Sequence, residues 1–123
     1  MTTGQHPTAK ILVTDDDPQM RRAITRTLCD FTTAEAGDGA EAMRMLERER
    51  FDLVTLDLDM PHMPGREALK RIRVLYPALP VVIVSTILPA DEIPGASATL
   101  DKAKLARLPD VVRAVLTAME PGK

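Results

Sequence analysis

Carboxylates, a hydroxyl and an ammonium lie close to the ends of short apolar segments in this sequence. In chain order, these positions are Asp15, Asp16, Asp17, Asp57, Ser85 and Lys102. Short, unbroken apolar runs are typical of strands buried on both faces of a parallel sheet. The carboxyl ends of parallel strands meet at one edge of such a sheet, where ligands bind. Side chains of these types at that edge favour phosphate and metal chemistry.

The carboxylates in this set predict a bound cation. Asp57 together with Asp15 and Asp16 would place several negative charges close together. Two unit charges about 4 Å apart repel by about 4 kcal/mol at an effective dielectric constant of about 20. Mg²⁺ would relieve this repulsion, because it prefers hard oxygen ligands and is usually held by one or two carboxylates, waters and a substrate phosphate. A carboxylate can also attack phosphorus and form an aspartyl phosphate.

Alternating strands and helices would position these side chains. The predicted strands are 10–14, 32–36, 53–57, 81–85 and 98–101, and the predicted helices are 18–29, 38–49, 66–75 and 109–119. Met20, Ile24 and Leu28 recur at helical spacing in the first helix, and Asp38 with Glu41 resembles a capping box at the start of the second. Such alternation predicts a parallel sheet with helices on both faces.

The apolar side chains on the helices are expected to form the core rather than a binding surface. In the last helix, Val112, Val115, Leu116 and Met119 form a stripe at helical spacing. Cys29, at the end of the first helix, is also expected to pack inside the fold. Two Phe, one Tyr and no Trp in a chain that is 45% hydrophobic indicate an aliphatic core.

Length, charge and composition limit the classes of protein that this sequence can encode. A chain of 123 residues fits one domain, with 10–120 as the folded part, 1–9 as a flexible arm and 121–123 as a tail. A net charge of −2 with dispersed basic residues, including Arg21 and Arg22 on an expected solvated face, argues against direct DNA binding. Neither a membrane span nor a signal peptide is predicted, so a cytoplasmic location is expected. His6 and His62 are expected to be exposed loop residues.

Four segments together resemble the receiver domain of bacterial two-component response regulators. They are ILVTDDDP, LVTLDLDMPHMPG, PVVIVST and GASATLDK, which occur in the order of the family, and the resemblance extends from Lys10 to about Met119. It implies a flavodoxin-like, doubly wound five-stranded parallel sheet with strand order 2-1-3-4-5. It also implies a signalling domain that phosphorylates and dephosphorylates itself, rather than a turnover enzyme.

The resemblance assigns roles to individual residues of this chain. Asp57 matches the phosphoacceptor of the family, Ser85 its switch hydroxyl and Lys102 its phosphate-binding lysine. The implied Mg²⁺ ligands are the side chains of Asp16 and Asp57, the backbone carbonyl of Asp59, and Asp15 either directly or through water. The phosphoryl donor would be a phosphohistidine on a sensor histidine kinase or a histidine phosphotransfer protein, and water would be the final acceptor.

The segment between Ser85 and Lys102 departs from the family. It is shorter than is typical by roughly one and a half helical turns. It also contains Pro89 and Pro94, and proline breaks a helix when it is placed in the interior. The helix that precedes strand five in other receivers is therefore expected to be shortened or lost.

Two further positions near the end of the predicted sheet differ from the family. Thr99 stands where many receivers carry a Tyr or Phe that responds to phosphorylation, and Ala103 stands where Pro commonly follows a cis peptide bond. Because a cis bond before a non-proline residue costs about 2.5–4 kcal/mol, the Lys102–Ala103 bond is expected to be trans. Many receivers dimerise through this region, so an altered signalling surface is expected, and a homodimer is left open.

Two other functions fit parts of the sequence. A receiver-like scaffold could bind a partner without being phosphorylated, which the altered segment favours and the set of Asp57, Ser85 and Lys102 disfavours. The DLD sequence at 57–59 also has the spacing of haloacid-dehalogenase-type phosphatases, but a Met-Pro pair follows it instead of a Thr-rich continuation. The chain ends soon after the last predicted helix, which fits a stand-alone receiver and equally a receiver excised from a larger regulator or hybrid kinase.

Overall fold

Five strands form a single sheet in the computed structural model, which describes residues 9–119. The strands are β1 Lys10–Thr14, β2 Thr32–Ala36, β3 Leu53–Leu56, β4 Val81–Ser85 and β5 Ala98–Asp101. Their order in the sheet is β2-β1-β3-β4-β5, and every neighbouring pair runs parallel. The predicted doubly wound, flavodoxin-like arrangement is confirmed.

Four α-helices cover the sheet. They are α1 Pro18–Thr27, α2 Gly39–Arg48, α3 Gly65–Leu75 and α4 Leu108–Ala118, and a 3-10 helix with a kink at Lys104 spans Lys102–Arg107. α1 begins where the Asp17 side chain accepts a hydrogen bond from the backbone N–H of Gln19, and α2 begins where Asp38 accepts one from the N–H of Glu41. The predicted helices are confirmed to within two residues at each end, whereas no local pattern predicts the 3-10 helix.

Two apolar clusters lie on opposite faces of the sheet. α2 and α3 cover one face, where Leu46, Leu69 and Ile72 are buried, and α1 and α4 cover the other, where Ile24 and Val112 are buried. Aliphatic side chains dominate both clusters, as the low aromatic content predicts. Because both faces are covered, β3 and β4 are buried along their whole length.

Two side chains that are expected to lie in the core are exposed instead. Met119 is 48% exposed because it follows the last residue of α4, where Leu116 already fills the inward position. Cys29 is exposed because α1 ends at Thr27 and the adjacent Leu28 turns into the core. The expectation that Met119 and Cys29 pack inside the fold is therefore wrong.

The connection between β4 and β5 contains no helix. Residues 86–97, called the crossover segment below, consist of turns and irregular chain. Ile93, which is 7% exposed, packs into the apolar cluster beneath α3. Arg73 of α3 donates a hydrogen bond to the backbone carbonyl of Gly95 in this segment at 2.9 Å. The predicted loss of this helix is confirmed, and these contacts hold the segment that replaces it.

Several smaller expectations concern single residues and the chain termini. No cis peptide bond occurs within residues 9–119, so the Lys102–Ala103 bond is trans, as predicted. His62 is exposed, as predicted, whereas His6 and the tail 121–123 lie outside the described residues. The predicted arm 1–9 also lies outside the described residues, except for Ala9, which is buried. The predicted domain boundaries stay predictions. None of the helices within residues 9–119 has the length and apolar character needed to cross a lipid bilayer.

Candidate functional site

Four strand ends meet at the carboxyl edge of the sheet and form the candidate site. Asp15 follows β1, Asp57 follows β3, Ser85 is the last residue of β4, and Lys102 follows β5. The parallel register of β1 and β3 brings Asp15 and Asp57 side by side, and the backbone N–H of Asp57 donates to the carbonyl of Thr14 at 3.2 Å. The structure thus brings together side chains that lie far apart in the sequence.

Both carboxylate oxygens of Asp57 accept hydrogen bonds inside the fold, where this residue is only 4% exposed. Oδ1 accepts from Ser85 Oγ at 3.2 Å and from the backbone N–H of Asp59 at 3.2 Å. Oδ2 accepts from Lys102 Nζ at 3.1 Å. A hydroxyl, an amide and an ammonium therefore surround one carboxylate, and the same donors would suit the oxygens of a phosphoryl group bound there.

Lys102 links the two buried carboxylates of the site. Its Nζ lies 2.8 Å from Asp15 Oδ2 and 3.1 Å from Asp57 Oδ2. Burial by itself lowers the pKa of Lys102, but hydrogen bonds and charges from Asp15 and Asp57 outweigh burial and raise that pKa above its ordinary value. Lys102 therefore carries a positive charge at neutral pH.

Asp15 is fully buried beside this ammonium. Burial raises the pKa of the Asp15 carboxyl above its ordinary value, and the contacts with Lys102 and with the backbone N–H of Asp17 offset part of the rise. Oδ1 of Asp15 accepts the Asp17 hydrogen bond at 2.9 Å. A buried charge that loses its partner is strongly destabilising, so Lys102 supports Asp15 as well as Asp57.

Local backbone features shape the chain on either side of the site. The Asp101 side chain accepts a hydrogen bond from the N–H of Ala103 at 2.8 Å, which starts the 3-10 helix at Lys102. Gly65 lies against the end of β3, where a Cβ atom would be only 2.2 Å from the backbone oxygen of Asp57. Glycine at this position therefore lets the loop after Asp57 fold back closely against the strand.

Three carboxylates are close enough to share one metal ion. Asp15, Asp16 and Asp57 each offer an oxygen, and these atoms lie within 4.8 Å of one another. A set of hard carboxylate oxygens suits Mg²⁺, so the residues present fit the predicted ion. Asp16 is exposed. The Asp59 side chain is also exposed, and for this residue exposure was predicted. The role of the Asp59 backbone carbonyl as a ligand stays a prediction.

Arg21 contacts the site although its sequence context predicts a solvated surface residue. Its guanidinium donates to the backbone carbonyl of Asp15 at 2.7 Å and to Glu35 at 3.0 Å. The sequence does contain one signal for this contact, because Arg21 lies three residues before the buried Ile24. Side chains three apart share one face of a helix, so Arg21 lies at the border of the apolar stripe.

The fold and the site together define an α/β domain with a carboxylate, hydroxyl and ammonium site at the carboxyl edge of its sheet. The model of the response regulator receiver domain family matches residues 11–102, which is more than half of the chain. The protein therefore belongs to the response regulator receiver family. This membership confirms the resemblance found in the sequence and leaves the phosphatase alternative without support.

Relatives and solved structures show the same similarity. A protein-glutamate methylesterase/protein-glutamine glutaminase of Rhizobium etli is 42% identical over 96 residues, which cover 75% of this chain and 26% of that protein. The chemotaxis protein CheY4 of Vibrio cholerae is 29% identical with a TM-score of 0.82, covering 88% of this chain and 98% of CheY4. The response regulator TrrA of Thermotoga maritima, solved in complex with Mg²⁺-BeF, has a TM-score of 0.82 and is 24% identical, covering 88% of this chain and 99% of TrrA. The likeness to TrrA shows a shared fold.

Proposed function

We propose that this receiver takes a phosphoryl group from a phosphohistidine onto Asp57 in the presence of Mg²⁺ and later transfers it to water. The arrangement around Asp57 supports this most directly. Lys102 and Ser85 contact its two carboxylate oxygens, and Asp15 and Asp16 lie within metal-ligating reach. The donor would be a sensor histidine kinase or a histidine phosphotransfer protein, and the proposal keeps the predicted cytoplasmic location.

Asp57 would act as the nucleophile of the transfer. One of its carboxylate oxygens bonds to phosphorus while the bond from phosphorus to the donor imidazole nitrogen breaks, and the electron pair of that bond stays on the imidazole. The transition state spreads charge over the equatorial phosphoryl oxygens. Lys102 and Ser85 lie 3.1 and 3.2 Å from the Asp57 oxygens, so they are placed to donate hydrogen bonds as that charge develops. Attack of water on phosphorus then releases phosphate and restores the carboxylate.

Asp15, Asp16 and Asp57 would hold Mg²⁺, with the backbone carbonyl of Asp59 as a further proposed ligand. When bound, the ion neutralises charge on the acidic side chains and on the phosphoryl oxygens. Lys102 contacts two of the same carboxylates, those of Asp15 and Asp57. The chain therefore supplies one positive charge of its own to the acidic cluster.

The crossover segment supports a distinct way of passing on the signal. It lacks a helix, Thr99 is exposed on β5, and Ile87 is 80% exposed. We expect phosphorylation to be read through this altered surface, or the domain to act as a phosphate relay or sink. The same segment favours the alternative function, a receiver that binds a protein partner without being phosphorylated.

The similarity to the Rhizobium methylesterase covers only 26% of that protein, and we propose no methylesterase activity for this chain.

Intact-protein mass spectrometry after incubation with Mg²⁺ and acetyl phosphate tests the proposed function. We expect the native chain to gain the mass of one phosphoryl group and the Asp57→Asn variant to gain none. The matched control is Asp91→Asn, which changes an exposed carboxylate in the crossover segment and should be phosphorylated like the native chain. A folded native chain that binds Mg²⁺ but gains no phosphoryl group would contradict the proposal and favour the unphosphorylated interaction module.

A further inference from the structure

Arg21 supports the acidic site from behind rather than forming part of a solvated surface. Its side chain is 18% exposed, whereas the neighbouring Arg22 is exposed. Arg21 Nη1 donates a hydrogen bond to the backbone carbonyl of Asp15 at 2.7 Å, and Nε donates to Glu35 Oε1 at 3.0 Å. One guanidinium from α1 therefore connects the end of β1 to a side chain on β2.

The carbonyl that Arg21 contacts belongs to the peptide bond between Asp15 and Asp16. Because a peptide unit is planar, a donor held on its oxygen restricts the orientation of the whole unit, and with it the direction in which the Asp16 side chain leaves the backbone. Asp15 is also held on its other side, where its N–H donates to the carbonyl of Ala36 at 3.1 Å. Arg21 completes the contacts that hold this stretch of backbone.

Asp16 depends on such support more than the other two carboxylates do. Asp15 and Asp57 are buried and contact Lys102 directly. Asp16 is exposed, and no residue within 9–119 holds its carboxylate in a hydrogen bond or ion pair. Its place in the cluster of three acids therefore depends on the orientation of the backbone that carries it.

Arginine suits this task because its planar guanidinium holds two acceptors at once in a fixed geometry, which a lysine ammonium does not do. We propose that Arg21, oriented by Glu35, is a positioning residue that holds Asp15 and Asp16 in place for a divalent cation. This inference rests on the proposed function, since it requires the acidic cluster to bind Mg²⁺. Residues that support metal ligands from behind typically change metal affinity by about 10–100-fold when they are mutated.

The test measures the Mg²⁺ affinity of Arg21→Met by isothermal titration calorimetry in the absence of a phosphodonor. We expect its dissociation constant for Mg²⁺ to rise by roughly tenfold over the native value. Arg22→Met, which removes the exposed neighbour on the same helix, is the matched control and should bind Mg²⁺ like the native chain. Arg21→Lys keeps the charge but loses the planar fork, so its affinity should fall between the two.

Two further readouts separate a positioning role from loss of structure. In metal-free protein, the amide resonances of Asp16 and Asp17 should shift in Arg21→Met and stay in place in Arg22→Met. The phosphorylation rate of Arg21→Met should approach the native rate when Mg²⁺ is saturating, because Arg21 contacts no reacting atom. If Arg21→Met does not fold, Glu35→Gln replaces it, since this variant weakens the contact that orients the guanidinium.

The outcomes distinguish failure of this inference from failure of the proposed function. A folded Arg21→Met variant with native Mg²⁺ affinity overturns the inference and leaves the proposed function intact. Native Mg²⁺ affinity in Glu35→Gln, where that variant has to be used, does the same. A folded native chain that binds no Mg²⁺ overturns both the inference and the proposed metal site.

Discussion

The acidic edge of the sheet and the crossover segment are held in place by different forces. At the edge, Lys102 lies between the buried carboxylates of Asp15 and Asp57, so charge pairing holds the site together. In the crossover segment, the buried Ile93 and the hydrogen bond from Arg73 to the carbonyl of Gly95 hold residues 86–97 against α3 without a helix. The candidate site therefore depends on ion pairs between strand ends, whereas a few packing contacts take the place of a whole helix in the crossover segment.

The two regions adjoin at Ser85, which ends β4 immediately before the crossover segment begins. If charge pairing and packing act separately, substitutions at the edge should change phosphorylation, whereas substitutions in the crossover segment should change stability and local motion and leave phosphorylation at the native rate. Slower phosphorylation in a crossover variant would show that the two regions are not separate. Four substitution experiments examine it, each with a matched control.

Lys102→Met should produce the largest effect. The variant loses the ammonium that lies 3.1 Å from Asp57 Oδ2, and removal of one preorganised donor typically slows a reaction by about 10²–10³-fold. The measurement is the rate of Asp57 phosphorylation by acetyl phosphate at saturating Mg²⁺. Lys104→Met, which changes an exposed lysine two residues further on, should react at the native rate. A loss of less than about tenfold in Lys102→Met would show that the ammonium is dispensable for the transfer.

The strand ends that place Lys102 and its partners could be predicted because their signals are local. β1 and β4 coincide with unbroken apolar runs, and their observed bounds match the predicted ones. β5 has a weaker pattern, and its predicted bounds depend more on its position in the chain than on its composition. Because parallel strands end at one edge of the sheet, the residues that meet in the candidate site could be predicted. The distances between their side-chain atoms could not.

The remaining features depend on contacts between distant parts of the chain. Arg21 and Arg22 are indistinguishable by residue type, and only the approach of α1 to β1 and β2 partly buries Arg21. The exposure of Cys29 and Met119 depends on where α1 and α4 end, and a shift of one or two residues turns a side chain away from the core. Local pattern does not specify helix ends this finely.

Ile93→Ala should produce the next largest effect, in this case on stability. Ile93 is 7% exposed in the cluster beneath α3, and truncation of a buried Ile to Ala typically costs about 2–5 kcal/mol. Urea unfolding should show this loss in the free energy of unfolding. Ile87→Ala is the matched control, because Ile87 is 80% exposed in the same segment and its truncation should stay within about 0.5 kcal/mol. Equal costs for the two variants would show that core packing does not anchor the crossover segment.

Arg73→Met should have a smaller effect that extends from the end of α3 to the crossover segment. It removes the hydrogen bond from Arg73 to the carbonyl of Gly95 and those to the carbonyls of Tyr76, Pro77 and Leu79, and hydrogen bonds to charged groups contribute about 1.5–3 kcal/mol. We expect faster amide hydrogen exchange in residues 76–79 and 86–97 and native phosphorylation of Asp57. The control is Arg71→Met, which removes only an exposed pair with Glu67, worth about 0.3–0.5 kcal/mol. Unchanged exchange in Arg73→Met would show that Arg73 does not hold the segment.

The last effect is on the pH dependence of the stability lost in Lys102→Met, measured without Mg²⁺. Burial raises the pKa of Asp15 above its unfolded value, and Lys102 offsets part of that rise. Without the ammonium the rise is larger, so the folded variant binds a proton more readily than the unfolded chain does. A group with a raised folded pKa contributes stability that is fully present below its unfolded pKa and is lost as the pH rises through its folded pKa.

The stability difference between Lys102→Met and the native chain should therefore be largest at neutral pH. It should shrink as the pH falls toward the ordinary Asp value of 3.8, with a slope of at most about 1.4 kcal/mol per pH unit, the limit for one proton. Urea unfolding of both chains at a series of pH values measures it, and Lys104→Met should show no such difference. If the difference stayed constant with pH, Asp15 would not be the group that Lys102 supports. The acidic edge would then be held by packing, as the crossover segment is, and the contrast between the two regions would disappear.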